Sequence, residues 1–109
     1  MDEATQKKIA GNEAMLREAN EAIERGLWPG DDHRTVRFRC ECAQLDCNQA
    51  IELRVRDYEA VRAHPRRFVL AEGHQRTAVE TVVQRRNGFL VVEKKGEAGA
   101  VAEERDPRS

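Results

Sequence analysis

The sequence predicts an α+β fold, with one long N-terminal helix followed by a small antiparallel sheet and a short helix. Three observations carry that prediction. Residues 3–25 contain no proline and are rich in Ala, Glu, Lys, Arg, Met and Leu, which favour helix. Residues 35–40 and 50–55 alternate apolar and polar side chains, the period of a half-buried strand. Asn87-Gly88 separates two runs rich in β-branched residues, a strong hairpin signal.

Along the helix, Ile9, Leu16 and Ile23 recur every seven residues. Ala19 and Leu27 widen the stripe, and Asn12 and Asn20 lie beside it. So narrow a stripe suits packing against a single surface. Either the helix lies on its own domain, or Ile9, Leu16 and Ile23 dock on a protein partner or a second copy of the chain. Gly26, as a left-handed cap, and Pro29 are expected to end the helix. Trp28, the only tryptophan, is expected to plug the helix onto the body.

After a polar linker over 31–34, the two alternating stretches flank a cysteine loop and should pair as a hairpin with that loop at its tip. Asp57 suits the N-cap of a short helix over 58–63, which Pro65 stops. Phe68-Val69-Leu70 reads as a third strand, followed by a turn at Gly73-His74. Residues 79–86 and 89–94 read as a second hairpin. A helix over 77–86 competes, because Val79, Val82, Val83 and Arg86 also fit one helical face. Residues 96–109 read as a flexible tail with at most one helical turn around 98–104. The expected organisation is therefore a helix and cap over 1–30, an α+β body over 31–95 and a tail over 96–109, without internal repeats.

Apolar material is scarce. In 109 residues, hydrophobic side chains make up 39% and charged ones 36%. So small a domain buries a limited core, and a bound metal is one standard compensation. Charge is uneven: residues 1–32 carry four basic and eight acidic side chains, and residues 33–86 carry eleven and seven. A body this mildly basic is not a strong nucleic-acid signature. The first residues lack the apolar segment of a secretory signal. No stretch approaches the ~18 apolar residues of a membrane span. A cytoplasmic protein with no membrane association is the expectation, and in a reducing cytoplasm clustered cysteines point to metal or redox chemistry.

The residues with a clear chemical reading are Cys40-Glu41-Cys42-Ala43-Gln44-Leu45-Asp46-Cys47. Alternate residues of an extended chain point to one side, so Cys40 and Cys42 can present both sulfurs to one ion. The loop returns Cys47 to the same point. Three thiolates suit a soft metal, and zinc is the usual occupant of a small structural site. Such a site has four ligands. His74, in a turn after a strand, is favoured as the fourth over His33 and His64, with water or an acidic side chain as further candidates. A Cys42–Cys47 disulfide beside a free thiol and an iron–sulfur cluster are the rival readings.

A closed four-ligand site lacks the open position of a catalytic zinc. The Pro-Cys-x-x-Cys partner of the zinc deaminases is absent from the sequence, as are a phosphate-binding glycine loop and His-Glu-x-x-His. No enzymatic activity is expected. Arg37, Arg39, Arg54 and Arg56 occupy alternate positions on the two strands. They form either a solvated face balanced by Glu41, Glu52 and Asp57 or a nucleic-acid-binding surface. No aromatic residues interleave with them, which weakens stacking on single strands.

The pattern Phe38-x-Cys40-x-Cys42-x4-Cys47, with Tyr58-Glu59-Ala60-Val61-Arg62, Pro65, Phe68, Gly73-His74 and Val91-Val92-Glu93-Lys94, resembles a group of small uncharacterised actinobacterial proteins. The resemblance covers most of the chain, including the acidic helix and the Asp106-Pro107-Arg108 tail. It implies a bacterial cytoplasmic protein and no particular activity. Gly73-His74 belongs to the matching pattern and so favours His74 as a ligand. Glu72 stands where the pattern has proline, which leaves the fourth ligand open. The leading expectation is a zinc-stabilised regulatory or adaptor module acting through protein–protein contacts. Nucleic-acid binding and thiol redox sensing are the alternatives.

Overall fold

Helix α1, Glu3–Arg25, starts where Asp2 accepts a hydrogen bond from the Thr5 backbone N–H at 2.7 Å, a side-chain N-cap. The computed structural model describes residues 2–42, 44 and 46–108. The buried face of α1 runs through Ile9, Ala10, Glu13, Ala14, Leu16, Arg17, Asn20, Glu21 and Glu24. That face is wider than the heptad stripe and more than half polar. Ile9 and Leu16 are buried within the chain, and Ile23 is half-buried against the core. Of the two readings of the stripe, packing on its own domain holds for Ile9 and Leu16, while Ile23 keeps a partly open face.

Two further expectations at the helix end are corrected. Gly26 keeps a right-handed φ of −76°, so no left-handed cap forms, and the chain continues in successive turns to residue 33. Trp28 is 40% exposed and does not plug the core. Pro29 follows it immediately, and the turns carry both residues out over solvent.

The strands form two sheets rather than one. In the first, β1 (Thr35–Arg39) pairs antiparallel with β2 (Ala50–Arg54), with Phe38 opposite Ile51. In the second, β3 (Arg67–Leu70), β4 (Glu80–Arg86) and β5 (Phe89–Lys94) stand in the order β3-β5-β4, all antiparallel. The hairpin reading of 79–94 thus holds over the helical one. Gly88, at φ +90°, makes the tight Asn87-Gly88 turn possible. Helix α2, Val55–Arg62, follows β2 directly. It begins earlier than Asp57, which lies in its first turn and accepts from Arg54 Nε at 3.2 Å. The core joins both sheets to α2 through Phe38, Ile51, Tyr58, Phe68, Leu70 and Val92. Phe38 and Tyr58 stack at 4.4 Å between centroids.

Residues 96–108 are not a flexible tail. Helix α3, Gly96–Glu104, packs on α1 and buries Ala98, Gly99 and Ala102. Beyond it, Asp106 accepts from the fully buried Arg62, and Arg108 bridges Glu21, Glu24 and Glu59. Small side chains and ionic anchors carry this segment, and neither leaves a hydropathy signal. The interior holds more charge of this kind. Lys94 lies between Glu13 and Glu80, and Arg17 donates to the carbonyls of Pro65 and Ala102 while lying 4.5 Å from the Phe68 ring centroid. Buried ions need such partners: Lys94 has two carboxylates and Arg17 two carbonyls, while Glu13 Oε1 and Arg17 Nε are left without a hydrogen bond. No helix among the described residues is long and apolar enough to cross a membrane.

Candidate metal centre

Cys40 is the residue after β1, and its N–H still bonds the Gln49 carbonyl at 3.1 Å. The chain then leaves β2 and crosses onto β3, where the Glu41 N–H donates to the Val69 carbonyl at 2.8 Å. This crossing puts Cys40 and Cys42 at the end of β3. Cys47 returns from the loop on the other side, held by a bond from its N–H to the Gln44 carbonyl at 3.0 Å. Ala43 and Leu45 of the expected loop lie outside the described residues.

His74 approaches from the turn after β3. Its N–H donates to the Ala71 carbonyl at 3.1 Å, and Gly73 before it takes φ +92°. That left-handed value favours glycine strongly. The turn delivers His74 Nδ1 to 3.4 Å from Cys40 Sγ and 3.7 Å from Cys47 Sγ. The ligand atoms of Cys40, Cys42, Cys47 and His74 all lie within 4.8 Å of one another. All four sequence-predicted ligands therefore meet, and this cluster could hold one metal ion. His33 contacts Arg56 at 3.3 Å, and His64 is exposed at the end of α2. Neither belongs to the cluster.

Cys40 and Cys42 are buried and Cys47 is half-buried, all as free cysteines. Burial pushes the Cys40 thiol well up, opposed by the Ala71 N–H, which donates to Cys40 Sγ at 3.1 Å. Burial pushes the Cys42 thiol up as well. A metal is bound by thiolates, so binding here displaces protons from thiols that otherwise hold them. The Ala71 N–H points at the sulfur where negative charge then resides, a second-layer contact that orients the ligand.

Sequence reasoning missed the support behind this cluster. Glu41, between two ligands, is fully buried rather than a solvated balancing charge. Its carboxylate accepts from the Tyr58 hydroxyl at 2.6 Å, Asn20 Nδ2 at 2.9 Å and the Val69 N–H at 2.9 Å. One side chain thereby ties the metal loop to α1, α2 and β3. Burial raises the Glu41 pKa, and those three hydrogen bonds work against the rise. The signal lay in the alternation itself: if Cys40 and Cys42 face one ion, the residue between them faces away from it, here into the protein.

Of the four arginines, Arg37, Arg39 and Arg54 share the exposed face of β1 and β2, where Arg37 lies opposite Glu52. Arg56 is corrected: it belongs to α2, because the helix begins at Val55. The face carries three guanidiniums rather than four, and Arg54 is paired with Asp57. Comparison with protein-family models, with curated proteins and with solved structures finds no match for this chain.

Proposed function

We infer that this chain is a non-enzymatic, zinc-stabilised regulatory or adaptor module that acts by binding another protein. The observation carrying this reading is the convergence of three sulfurs and one imidazole nitrogen within 4.8 Å. In a tetrahedral zinc site, bond lengths of about 2.3 Å to sulfur and 2.0–2.1 Å to nitrogen put sulfur and nitrogen about 3.6 Å apart. The distances of 3.4 and 3.7 Å from His74 Nδ1 bracket that value. Four protein ligands leave no open position for a substrate, which supports structure over catalysis. The ion would pin the metal loop, the end of β3 and the His74 turn together in a chain with little apolar core. A reducing bacterial cytoplasm, which keeps thiols available, is the compartment this reading suits.

Elemental analysis of chain purified without chelator tests it. One zinc per chain is expected, weakened or lost in His74→Ala, with chelation lowering the thermal midpoint. A metal-free chain of equal stability would overturn the reading.

Ile9 and Leu16 are buried and serve the chain's own core, so of the helix stripe only half-buried Ile23 stays partly open to a partner. Nucleic-acid binding is a second reading, favoured by Arg37, Arg39 and Arg54 on one exposed face. It requires binding that weakens steeply with salt and that fails on charge reversal at Arg37 and Arg54. A third, thiol redox sensing, rests on half-buried Cys47, the cysteine most open to an oxidant. It requires metal release by mild peroxide.

A further inference from the structure

β1 has one edge paired with β2 and one that faces α1. The Val55 N–H bonds the Arg34 carbonyl at 3.0 Å, and the Cys40 N–H bonds the Gln49 carbonyl at 3.1 Å. In an antiparallel ladder, residues alternate in the edge their backbone groups serve. Val36 and Phe38 therefore direct theirs at β2, and Thr35, Arg37 and Arg39 direct theirs away. At Arg39 that outer edge is filled by the Asn20 side chain. Its Oδ1 accepts from the Arg39 N–H and its Nδ2 donates to the Arg39 carbonyl, both at 2.8 Å. One amide side chain thus stands where a neighbouring strand would.

At Thr35 and Arg37 no described residue takes that place. Instead a groove runs along the edge, lined by Ile23, Gly26 and Leu27 on one side and Thr35, Val36 and Arg37 on the other. Ile23 and Val36 touch the core and are only half covered, as is Leu27. Arg37 is exposed and makes no ion pair among the described residues.

We propose that this edge of β1 binds an extended acidic segment of a partner protein by strand addition, with Arg37 facing a carboxylate. Added strands gain affinity from main-chain hydrogen bonds and specificity from alternate side chains. The segment places apolar residues at alternate positions over Ile23, Leu27 and Val36, and a Glu or Asp between them beside Arg37. A second copy of this chain is disfavoured as the occupant. Pairing β1 with its own copy would bring the exposed arginines of both strands together, and like charges across a sheet repel. The proposal deepens the interaction-module reading and rests on it.

The test uses full-length, zinc-loaded protein and the end-blocked peptide Thr-Val-Glu-Val-Thr, followed by backbone amide NMR. The Thr35 and Arg37 amide signals should move with saturation. Replacing the central Glu by Lys should weaken binding at least tenfold, and N-methylation of that Glu, which removes a main-chain donor, should abolish it. In Arg37→Glu, the preference between the Glu and Lys peptides should reverse. Binding indifferent to N-methylation, or shifts confined to other residues, would overturn the proposal. So would a protein that sediments as a dimer with the Thr35 and Arg37 amides already protected. Absence of zinc would sink the parent reading, whereas a zinc-bound chain with unmoved amides would sink this inference alone.

Discussion

The Tyr58 hydroxyl donates to Glu41 Oε2 at 2.6 Å in a fully buried contact, behind the two cysteines that flank Glu41 in sequence. Glu41 therefore ties the candidate metal cluster to the core behind it. Removing the carboxylate in Glu41→Ala strands three buried donors, from Tyr58, Asn20 and Val69. A lost buried partner costs about 1–3 kcal/mol per group, so the variant should lose about 3 kcal/mol or more in urea unfolding. Tyr58→Phe, which removes one donor of three, should lose about 1 kcal/mol. Metal affinity should fall in Glu41→Ala. A loss under 1 kcal/mol there would show that the hub holds nothing.

Asp106 tests the C-terminal segment. Arg62 is fully buried and pairs with both Glu21 and Asp106. Asp106→Ala leaves this guanidinium with one carboxylate, and thinning a buried charge network costs about 2–3 kcal/mol. Thermal or denaturant unfolding reads the loss directly. If residues beyond 104 were a loose tail, the variant would match the native protein.

These two sites also show where sequence reading stops. The four members of the cluster were legible because Cys-x-Cys and a glycine–histidine turn need no knowledge of the fold. β1 and β2 were legible because their apolar residues alternate, as Val36 and Phe38 do against Arg37 and Arg39, and β3 because turn residues bound its short apolar run. The buried stripe of α1 was not. Its centre is Glu13, Arg17, Asn20, Glu21 and Glu24, residues that hydropathy assigns to solvent. Only the arrival of Lys94, Arg62, Arg108 and Glu41 from distant parts of the chain makes them interior. α3 escaped for the same reason, since Ala98, Gly99 and Ala102 pack closely without a strong apolar period. Trp28 misled in the opposite direction, its bulk suggesting a core position that the turns after α1 do not give it.

Gly73 links backbone conformation to the candidate metal site. Its φ is +92°, and a Cβ there would meet nothing within 4 Å. Gly73→Ala therefore adds left-handed strain of about 1–2 kcal/mol and no clash. The strain falls on the turn that presents His74. Zinc affinity by competition with a chromophoric chelator should drop several-fold while the unrelated Asn87-Gly88 hairpin stays intact by amide NMR. Unchanged affinity would mean that the turn does not preset the ligand.

Stability should depend on pH through Glu13. Burial pushes its carboxyl up to about 7, with Lys94 pulling it down and Glu80 pushing it further up. The usual value is 4.5, so between the two the folded chain holds more protons than the unfolded one. The Glu13 contribution is then greatest below pH 4.5 and falls as pH rises towards 7, by at most about 1.4 kcal/mol per unit for one group. Glu24, also pushed up to about 7 by burial, acts in the same window. Glu13→Gln should reduce the slope without abolishing it. Unfolding curves from pH 4.5 to 7 with the same slope in both proteins would contradict the assignment.

X-ray absorption at the zinc edge on the full chain tests the central claim most directly. The account predicts a first shell of three sulfurs at about 2.3 Å and one nitrogen at about 2.0–2.1 Å, with the nitrogen lost in His74→Ala. A shell of four sulfurs drawn from two chains, or one dominated by oxygen, would contradict it.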